Sequence, residues 1–272
     1  MPELPEVETT LRGIEPFILN KKISSVVIRQ SSLRWTVPTK LIQKKLLGRT
    51  FSNIIRRGKY LLLESCNEHL IIHLGMSGSL RIAKEEDLKK HDHIDVCFVD
   101  GTILRYCDPR RFGCFLWTKD VETHFLLKDL GPEPLGNYFS GDYLFHNSRK
   151  RKVPIKNFIM NSKVVVGVGN IYATEALFAA AIRPSSKAGK VPRKKYDLLA
   201  KEIVTILRRS IKDGGTTLRD FVSGNNTPGY FKQSLKVYGR EGKECYECQT
   251  IIKGQRIGQR ASAYCPLCQS SF

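Results

Sequence analysis

The first residues of the chain have the types and spacing of a nucleophile placed beside proton carriers. The sequence begins MPELPEVETT, so Pro2 follows the initiator methionine, and Glu3, Glu6 and Glu8 come soon after. Removal of Met1 would expose a secondary amine. An α-amine with a pKa near 8 is roughly a tenth neutral at pH 7, against less than about a thousandth for an ordinary lysine. Such an amine can attack a carbonyl-type carbon while a carboxylate carries protons. The alternative is a helix N-terminus whose acids suit its dipole.

Four cysteines near the end of the chain have the spacing of a metal site. Cys245, Cys248, Cys265 and Cys268 form C-x2-C-x16-C-x2-C. Two such pairs can close the tetrahedral thiolate site of a structural zinc, with no open position for catalysis. We therefore predict one structural Zn²⁺; the alternative is four free thiols. The remaining cysteines lie in strand-like segments and are predicted to be ordinary buried thiols: Cys66, Cys97, Cys107 and Cys114.

Two loops between strand-like runs carry residues that could enter a duplex. In RYCDPRRFG an exposed Phe112 could wedge between bases while Arg110 bonds an orphaned base. The alternative, a core phenylalanine beside solvated arginines, is favoured if this stretch is taken alone. Met76 in HLGMSGSL and Lys59 in RRGKYLLLE have similar alternatives, a core methionine and a solvated lysine.

A glycine-rich turn leads into a helical pattern in VVVGVGNIYATEALF, with Asn170 as a candidate N-cap. A helix N-terminus behind glycines suits a phosphate, and the alternative is a tight turn that packs two helices. The stretch from Tyr143 to Thr174 contains no acid, which favours phosphate binding. Its cations are Arg149, Lys150, Arg151, Lys152, Lys156 and Lys163.

Composition narrows the partners. The 272 residues carry 45 Lys+Arg against 26 Asp+Glu, a formal net charge of +19. Such a balance favours a polyanion, and the absence of a basic amphipathic helix with an aromatic face favours nucleic acid over a membrane. The apolar runs are shorter than a membrane span, and the start lacks a secretory pattern. We expect a cytoplasmic protein with about two domains.

Apolar periodicity gives the order of the elements. Val7, Leu11, Ile14 and Ile18 predict a helix over 3–20. Short β-type runs follow, which predicts an antiparallel sandwich or barrel. A Gly/Pro-rich stretch, GPEPLGNYFSGDY, is interpreted as an interdomain linker, and helical patterns lie beyond it. The last thirty or so residues have too little apolar content for a core, so the cysteines would have to stabilise them.

Together these segments resemble the bacterial formamidopyrimidine-DNA glycosylase family over nearly the whole chain. The motifs that carry the resemblance are PELPEVET, RRGKYLL, HLGMSGSLR, KHDH, DPRRFG, LGPEPL, VVGVGNIYA, GGTTLRDF, GYF, VYGR and GQRASAYC with the cysteine quartet. The resemblance implies an α+β, multidomain fold. Its parts would be an N-terminal β-sandwich with flanking helices (1–133), a linker (134–152), a helical domain with a helix-two-turn-helix (153–238) and a zinc-finger β-hairpin (239–272).

The resemblance also implies a bifunctional DNA glycosylase and AP lyase of base excision repair, which removes oxidised purines from duplex DNA. Pro2 would attack C1′ of the damaged nucleotide and Glu3 would be the general acid, with Glu6 orienting the N-terminus. Lys59 would donate a proton during glycosidic cleavage and β-elimination, and Arg260 would assist δ-elimination.

Other residues would hold the DNA. Met76, Arg110 and Phe112 would fill the space left by the flipped base, with Arg110 facing an estranged cytosine. A segment from Thr216 to Tyr230 would be a mobile loop over the extruded base. The expected partner is damaged double-stranded DNA, bound by a monomer in the bacterial cytoplasm, in association with the nucleoid. The residues expected to hold the kinked backbone are His91, Lys152, Lys156, Asn170 and Arg260.

Two other functions stay open at this point. An endonuclease VIII-type glycosylase would prefer oxidised pyrimidines. Leu4, where those enzymes tend to carry glycine, and the Arg110–Phe112 wedge argue against it. A non-catalytic zinc-ribbon protein would need the basic surface and the zinc, but neither Pro2 nor Glu3.

Overall fold

The computed structural model of the chain describes residues 2–84, 87–215 and 234–272. These residues form two compact units. Unit 1 contains the described residues up to Lys128 together with 213–215, and unit 2 contains Asp129–Lys212 and 234–272. The loop predicted over 216–230 lies outside the described residues. The domain boundaries predicted after 133, 152 and 238 stay predictions.

Unit 1 is a sandwich of two four-stranded antiparallel sheets, as the strand-like runs predicted. The helices of this unit are α1 (Leu4–Ile18) and α2 (Thr39–Leu46). Its strands are β1 (Ile23–Ile28), β2 (Asn53–Arg57), β3 (Tyr60–Ser65), β4 (Glu68–His73), β5 (Ser79–Ala83), β6 (Asp92–Phe98), β7 (Ile103–Cys107) and β8 (Cys114–Thr118). One sheet has the order β1-β6-β7-β5 and the other the order β2-β3-β4-β8.

Alternation along β6 places different residue types on its two faces. Ile94, Val96 and Phe98 enter the core that both sheets share, because side chains two apart lie on the same face of a strand. Asp95 points to the other face and pairs with Arg105 of β7, Oδ1 to Nε, at 2.8 Å. Both side chains are almost fully buried, so this ion pair is shielded from solvent on the outer face of the sheet.

The helix predicted over 3–20 is confirmed as α1. Its apolar stripe packs into the same core as the sheets. Pro5 lies in the first turn, where its missing N–H costs no intrahelical hydrogen bond. α1 thereby holds the start of the chain against β2, β3 and β5.

Unit 2 combines helices with a two-stranded hairpin. The amphipathic helix α6 buries Tyr196, Leu199, Ile203 and Leu207 on one face and contacts α3 and α5. The elements are α3 (Gly141–Ser148), α4 (Ile155–Met160), α5 (Asn170–Ala179), α6 (Arg193–Lys212), β9 (Lys253–Ile257) and β10 (Arg260–Tyr264).

The first helix of unit 2 lies within the stretch predicted to be a linker. α3 lies inside residues 134–152 and packs on α6. Ser140 accepts a hydrogen bond from the Tyr143 backbone N–H at 3.0 Å, which is an N-cap contact that the Gly/Pro content of this stretch concealed. Part of this stretch is therefore helical and packs within unit 2.

One predicted buried thiol is wrong. Cys66 is exposed, in the turn between β3 and β4, where Cys66 and Asn67 both have positive φ (53° and 60°). Two such residues make the tight turn that joins antiparallel strands, so position 66 faces solvent. Cys114 is buried, and Cys97 and Cys107 are half-buried. Across residues 2–84, 87–215 and 234–272, no helix combines the length and the apolar character needed to cross a bilayer.

Candidate active site and nucleic-acid interface

The start of the chain is packed into unit 1. Pro2 is buried, and Glu3 and Glu6 are each about 3% exposed. Glu3 is the N-cap of α1, and the Glu6 Oε2 atom accepts a hydrogen bond from the Glu3 backbone N–H at 2.9 Å. This contact, which belongs to the capping-box type, fixes the backbone directly after Pro2. Glu6 therefore holds the backbone next to Pro2, and its role in orienting the N-terminus for catalysis stays a prediction.

A glycine in unit 1 leaves room for the second carboxylate oxygen. Gly215 has a φ of +82°, and a Cβ atom built there would lie 3.3 Å from the Glu6 Oε1 atom. Any other residue would be strained in this backbone conformation and would crowd Glu6. The GG of GGTTLRDF therefore has a physical reason at its second glycine.

Lys59 lies in the two-residue turn between β2 and β3 rather than at the start of a strand. Gly58, the first residue of the turn, has a φ of +60°. Arg56 supports the turn from β2, because its Nη1 donates to the Gly58 carbonyl oxygen at 3.0 Å and its Nε to the Glu8 Oε2 atom of α1 at 2.9 Å. Lys59 is half-buried.

His73 lies beside Lys59 and was not predicted as a site residue. Tyr60 and His73 are paired across β3 and β4, with ring centroids 4.8 Å apart. Desolvation, with positive charge from Lys59 and Arg34, lowers the pKa of His73 to about 4. The ring is therefore neutral at pH 7, and its Nδ1 accepts the Gly75 N–H at 2.9 Å. The pairing register that brings His73 next to Lys59 cannot be seen in either motif alone.

The two loops predicted to enter DNA lie against each other. A Cβ atom at Gly75 would lie 2.6 Å from the Gly113 nitrogen and 2.7 Å from the Phe112 carbonyl carbon. Only glycine allows the chain before Met76 to approach the second loop so closely. Met76 is half-buried, Arg110 is exposed, and its guanidinium carbon lies 5.1 Å from the centroid of the Phe112 ring. Phe112 is 44% exposed, so it is not a core residue.

Asp108 explains how the second loop is held. Its Oδ2 accepts the Gly113 N–H at 2.8 Å and the Tyr106 hydroxyl at 3.1 Å, and the residue is fully buried. His91 joins the same site because its carbonyl oxygen accepts the Asp108 N–H at 3.1 Å. The structure therefore brings His91, Arg110 and Phe112 together with the loop of Met76.

In unit 2 the predicted helix cap is one residue off. Gly169 is the N-cap of α5 and Asn170 is its first residue. The Asn170 Oδ1 atom is buried and has no hydrogen-bond partner among the residues that the structure describes. Asn170 therefore does not cap the helix with its own side chain.

Lys156, one of the residues expected to hold the DNA backbone, does not lie at the surface of unit 2. It is fully buried on α4, and its Nζ donates to the Ala261 carbonyl at 3.0 Å and to the Ser262 hydroxyl at 2.7 Å. The expected direct phosphate contact stays a prediction, and in the structure the ammonium is bonded to the first residues of β10. Lys152 and Arg260, by contrast, are exposed.

The four cysteines of residues 234–272, here called the C-terminal module, lie close together. Their sulfur atoms all lie within 4.8 Å of one another. The Sγ of Cys248 is 3.4 Å from those of Cys265 and Cys268, and the Cys245 and Cys268 sulfurs are 4.0 Å apart. Tetrahedral thiolates at ~2.3 Å from a zinc would be about 3.8 Å apart, so this donor set fits such an ion.

Two buried polar side chains tie this module to α5 and to the turn that follows it, and neither was predicted. Glu175 accepts the backbone N–H groups of Lys236, Val237 and Tyr238 at 2.8 to 3.0 Å. Gln269 is fully buried and donates from Nε2 to the Ile182 carbonyl at 2.8 Å. Burial raises the pKa of Glu175, and the three N–H groups oppose that rise.

Comparison with known proteins identifies the family. Residues 1–115 match the formamidopyrimidine-DNA glycosylase N-terminal domain, and residues 130–222 match the H2TH domain of the same family. The formamidopyrimidine-DNA glycosylase of Cellvibrio japonicus is 56% identical over 271 residues, which are 99% of this chain and all of the relative. The chain belongs to the formamidopyrimidine-DNA glycosylase family. A further relative of the same name, from Saccharophagus degradans, is 54% identical with the same coverage.

Solved structures agree with the family assignment. The Lactococcus lactis Fpg in complex with DNA containing an abasic site aligns with a TM-score of 0.90 at 33% identity, covering 99% of this chain and 100% of that one. The MutM (Fpg) protein of Thermus thermophilus aligns with a TM-score of 0.89 at 31% identity, covering 100% of each chain. The predicted fold class is confirmed, because an α+β chain with a β-sandwich, helices and a cysteine-bearing hairpin matches these proteins over its full length.

Proposed function

We propose that this protein is a bifunctional DNA glycosylase and AP lyase of base excision repair, acting on oxidised purines in duplex DNA. The observation that carries the proposal is the arrangement Pro2–Glu3–Glu6, in which a buried residue 2 is followed by a backbone N–H bonded to Glu6. The contact itself is an ordinary helix cap, but a non-catalytic zinc-ribbon protein would need neither Pro2 nor Glu3 at these positions. The family assignment over the full chain supports the same function.

Pro2 is the nucleophile of the proposed reaction, and Lys59 and Glu3 carry its protons. After removal of Met1, the neutral Pro2 amine forms a bond to C1′ of the damaged nucleotide. The C1′–N9 bond breaks, its electron pair leaves with the base, and the base takes a proton from Lys59. Glu3 accepts the proton of the amine and returns it to O4′ as the sugar opens, leaving an iminium between Pro2 and C1′. Loss of the C2′ proton then forms the C2′–C3′ double bond and expels the 3′ phosphate with the electron pair of the C3′–O bond. Loss of the C4′ proton next expels the 5′ phosphate with the electron pair of the C5′–O bond, and Arg260 assists this δ-elimination.

The exposed loops of unit 1 would fill the duplex after base extrusion. Arg110 can present its guanidinium to the estranged cytosine while Phe112 and Met76 replace stacking. His91, Lys152, Asn170 and Arg260 would bind the phosphate backbone. For Lys156 we propose an indirect part, because its buried ammonium holds Ala261 and Ser262 beside Arg260.

One zinc ion would be held by Cys245, Cys248, Cys265 and Cys268. All four ligands come from the protein, so the ion would stabilise the hairpin and take no part in the reaction. We also propose that the protein acts as a monomer in the bacterial cytoplasm. Nucleoid association would follow from its DNA affinity at a net charge of +19.

The substrate class is tested with a panel of duplexes. We expect excision of 8-oxoguanine and formamidopyrimidine opposite cytosine, with products of β,δ-elimination. Efficient cleavage of thymine glycol with little activity on the purine lesions would indicate the endonuclease VIII type instead. Binding of every duplex without cleavage would leave a zinc-ribbon DNA-binding protein.

A further inference from the structure

A buried arginine connects the two elements that carry the proposed nucleophile and proton donor. Arg56 lies on β2, and its side chain is 9% exposed. On one side its Nε donates to the Glu8 Oε2 atom at 2.9 Å. On the other its Nη1 donates to the carbonyl oxygen of Gly58 at 3.0 Å. One guanidinium therefore binds the helix that follows Pro2 and the turn that carries Lys59.

The contact with Gly58 determines how Lys59 leaves the turn. The Gly58 carbonyl oxygen lies in the same rigid peptide plane as the nitrogen and Cα of Lys59. A hydrogen bond to that oxygen fixes the plane and hence the direction from which the lysine side chain starts.

The contact with Glu8 anchors the same guanidinium to α1. Glu8 lies two residues after Glu6, which bonds the backbone of Glu3 at 2.9 Å. α1 is held by its apolar stripe in the sandwich core, so its first turn is a firm support. The planar fork of arginine can make both contacts at once, whereas a lysine ammonium is a point donor.

We propose that Arg56 is a positioning residue that sets the Lys59 ammonium relative to Pro2 by bridging Glu8 and the Gly58 carbonyl. The proposal rests on the roles assigned to Pro2 and Lys59 under the proposed function. Arg56 itself touches no reacting atom. Its loss should misplace the proton donor, and misplacement by about 1 Å can cost on the order of 100-fold in rate.

Base excision and covalent trapping at an abasic site, measured separately, distinguish a positioning role of Arg56 from general destabilisation of the protein. Excision of a damaged base needs a proton for the departing base. A preformed abasic site has no base to expel, so the first attack by Pro2 there does not need that proton. Arg56→Met should therefore lower single-turnover excision of 8-oxoguanine by about 10- to 100-fold. Borohydride trapping on an abasic duplex should stay within about twofold of the parent, by the same argument.

The chain offers a matched control on the same carboxylate. Arg12 pairs with the other oxygen of Glu8, Nε to Oε1, at 3.0 Å, and its side chain is 61% exposed. Arg12→Gln removes one ion pair of Glu8 but leaves the turn of Lys59 untouched. It should change neither excision nor trapping by more than about twofold, because exposed pairs of this kind contribute little.

A conservative variant keeps the test decisive if Arg56→Met folds poorly. Arg56→Lys retains a cation for Glu8 but cannot make the forked contact, so excision should fall while thermal stability and trapping remain near parental values. Parental excision by both Arg56 variants would overturn the proposal. So would a parallel loss of excision, trapping and thermal stability in both. Failure of the unmodified protein to trap abasic DNA at all would instead refute the proposed function.

Discussion

The two units support the turns that carry Lys59 and Arg260 in different ways. In unit 1 the turn of Lys59 projects from a sandwich in which two sheets and two helices share one apolar core. In unit 2 the hairpin that presents Arg260 rests on a cluster of six buried residues, of which Cys245 and Cys265 are two. So small a cluster cannot offset the conformational entropy of the module. The difference indicates that hydrophobic burial stabilises the first turn, and the proposed metal with buried polar contacts stabilises the second.

Removal of the metal should have the largest effect, and it should affect unit 2 far more than unit 1. A structural zinc contributes on the order of 10 kcal/mol to the folding of a small module. Chelation, or Cys268→Ser, should abolish amide protection in β9 and β10 and lower excision at least about 100-fold, because Arg260 loses its support. The β-strands of unit 1 should keep their protection in hydrogen exchange.

Cys66→Ser is the control for this experiment, because that thiol is exposed in a turn of unit 1. It should leave exchange and excision unchanged. Full protection of the hairpin after chelation would show that no metal supports it.

Breaking the buried ion pair of the sandwich should give the next largest effect. Asp95 accepts from Arg105 at 2.8 and 2.9 Å and from Arg29 at 2.6 Å. Asp95→Asn leaves a buried guanidinium without its counter-charge and should lower the free energy of unfolding by about 3–5 kcal/mol. Asp129→Asn, which breaks the exposed pair with Lys163, should change it by less than about 1 kcal/mol.

The dependence of stability on pH in the acid range provides a second measurement on the ion pair of Asp95. Burial acts to raise the pKa of Asp95, but hydrogen bonds from Arg105 and Arg29 outweigh it and hold the pKa below its usual range. The stabilisation is therefore present above pH ~3.9 and is lost as the pH falls through the lower folded-state pKa. The difference in the free energy of unfolding between the parent and Asp95→Asn should therefore narrow as the pH falls below ~3.9 towards the folded-state pKa of Asp95. A constant difference down to pH 2 would contradict the assignment.

The smallest effect distinguishes the two lysines of the basic segment. Lys156→Met removes the donor to Ala261 and Ser262 and should loosen the hairpin by about 1–3 kcal/mol, seen as faster exchange in β10. Lys152→Met removes an exposed cation and should leave exchange unchanged. It should weaken duplex binding. It should also reduce the steepness of the fall of log K with log[salt] by about 1, because one fewer phosphate is neutralised. The reverse pattern would mean that Lys156 binds phosphate directly.

Much of the fold could be predicted because it depends on local patterns. The apolar stripe of α1 has a 3.6-residue period, and the strand-like runs of unit 1 are short and separated by turns. The cysteine quartet is recognisable because ligand spacing near a turn is set by the metal geometry. These features need no knowledge of which distant residues meet.

The features that sequence alone missed depend on long-range pairing. Lys156 sits among other cations in the chain, and only its packing against Ala261 and Ser262 reveals that it is buried. His73 meets Lys59 through the β3–β4 register, and Arg56 bridges Glu8 and Gly58 across α1 and β2. Asn170 failed as a cap because Gly169 already occupies that position. Each depends on partners that are separated in the chain or on a one-residue choice of helix start.

The covalent role of residue 2 is tested most directly by borohydride trapping on an 8-oxoguanine duplex, followed by peptide mapping of the adduct. We expect a deoxyribose remnant attached to the nitrogen of Pro2, in protein that has lost Met1. We also expect no adduct when a residue is added before Pro2. An adduct on a lysine, or undiminished trapping by protein that retains Met1, would contradict the covalent role of Pro2.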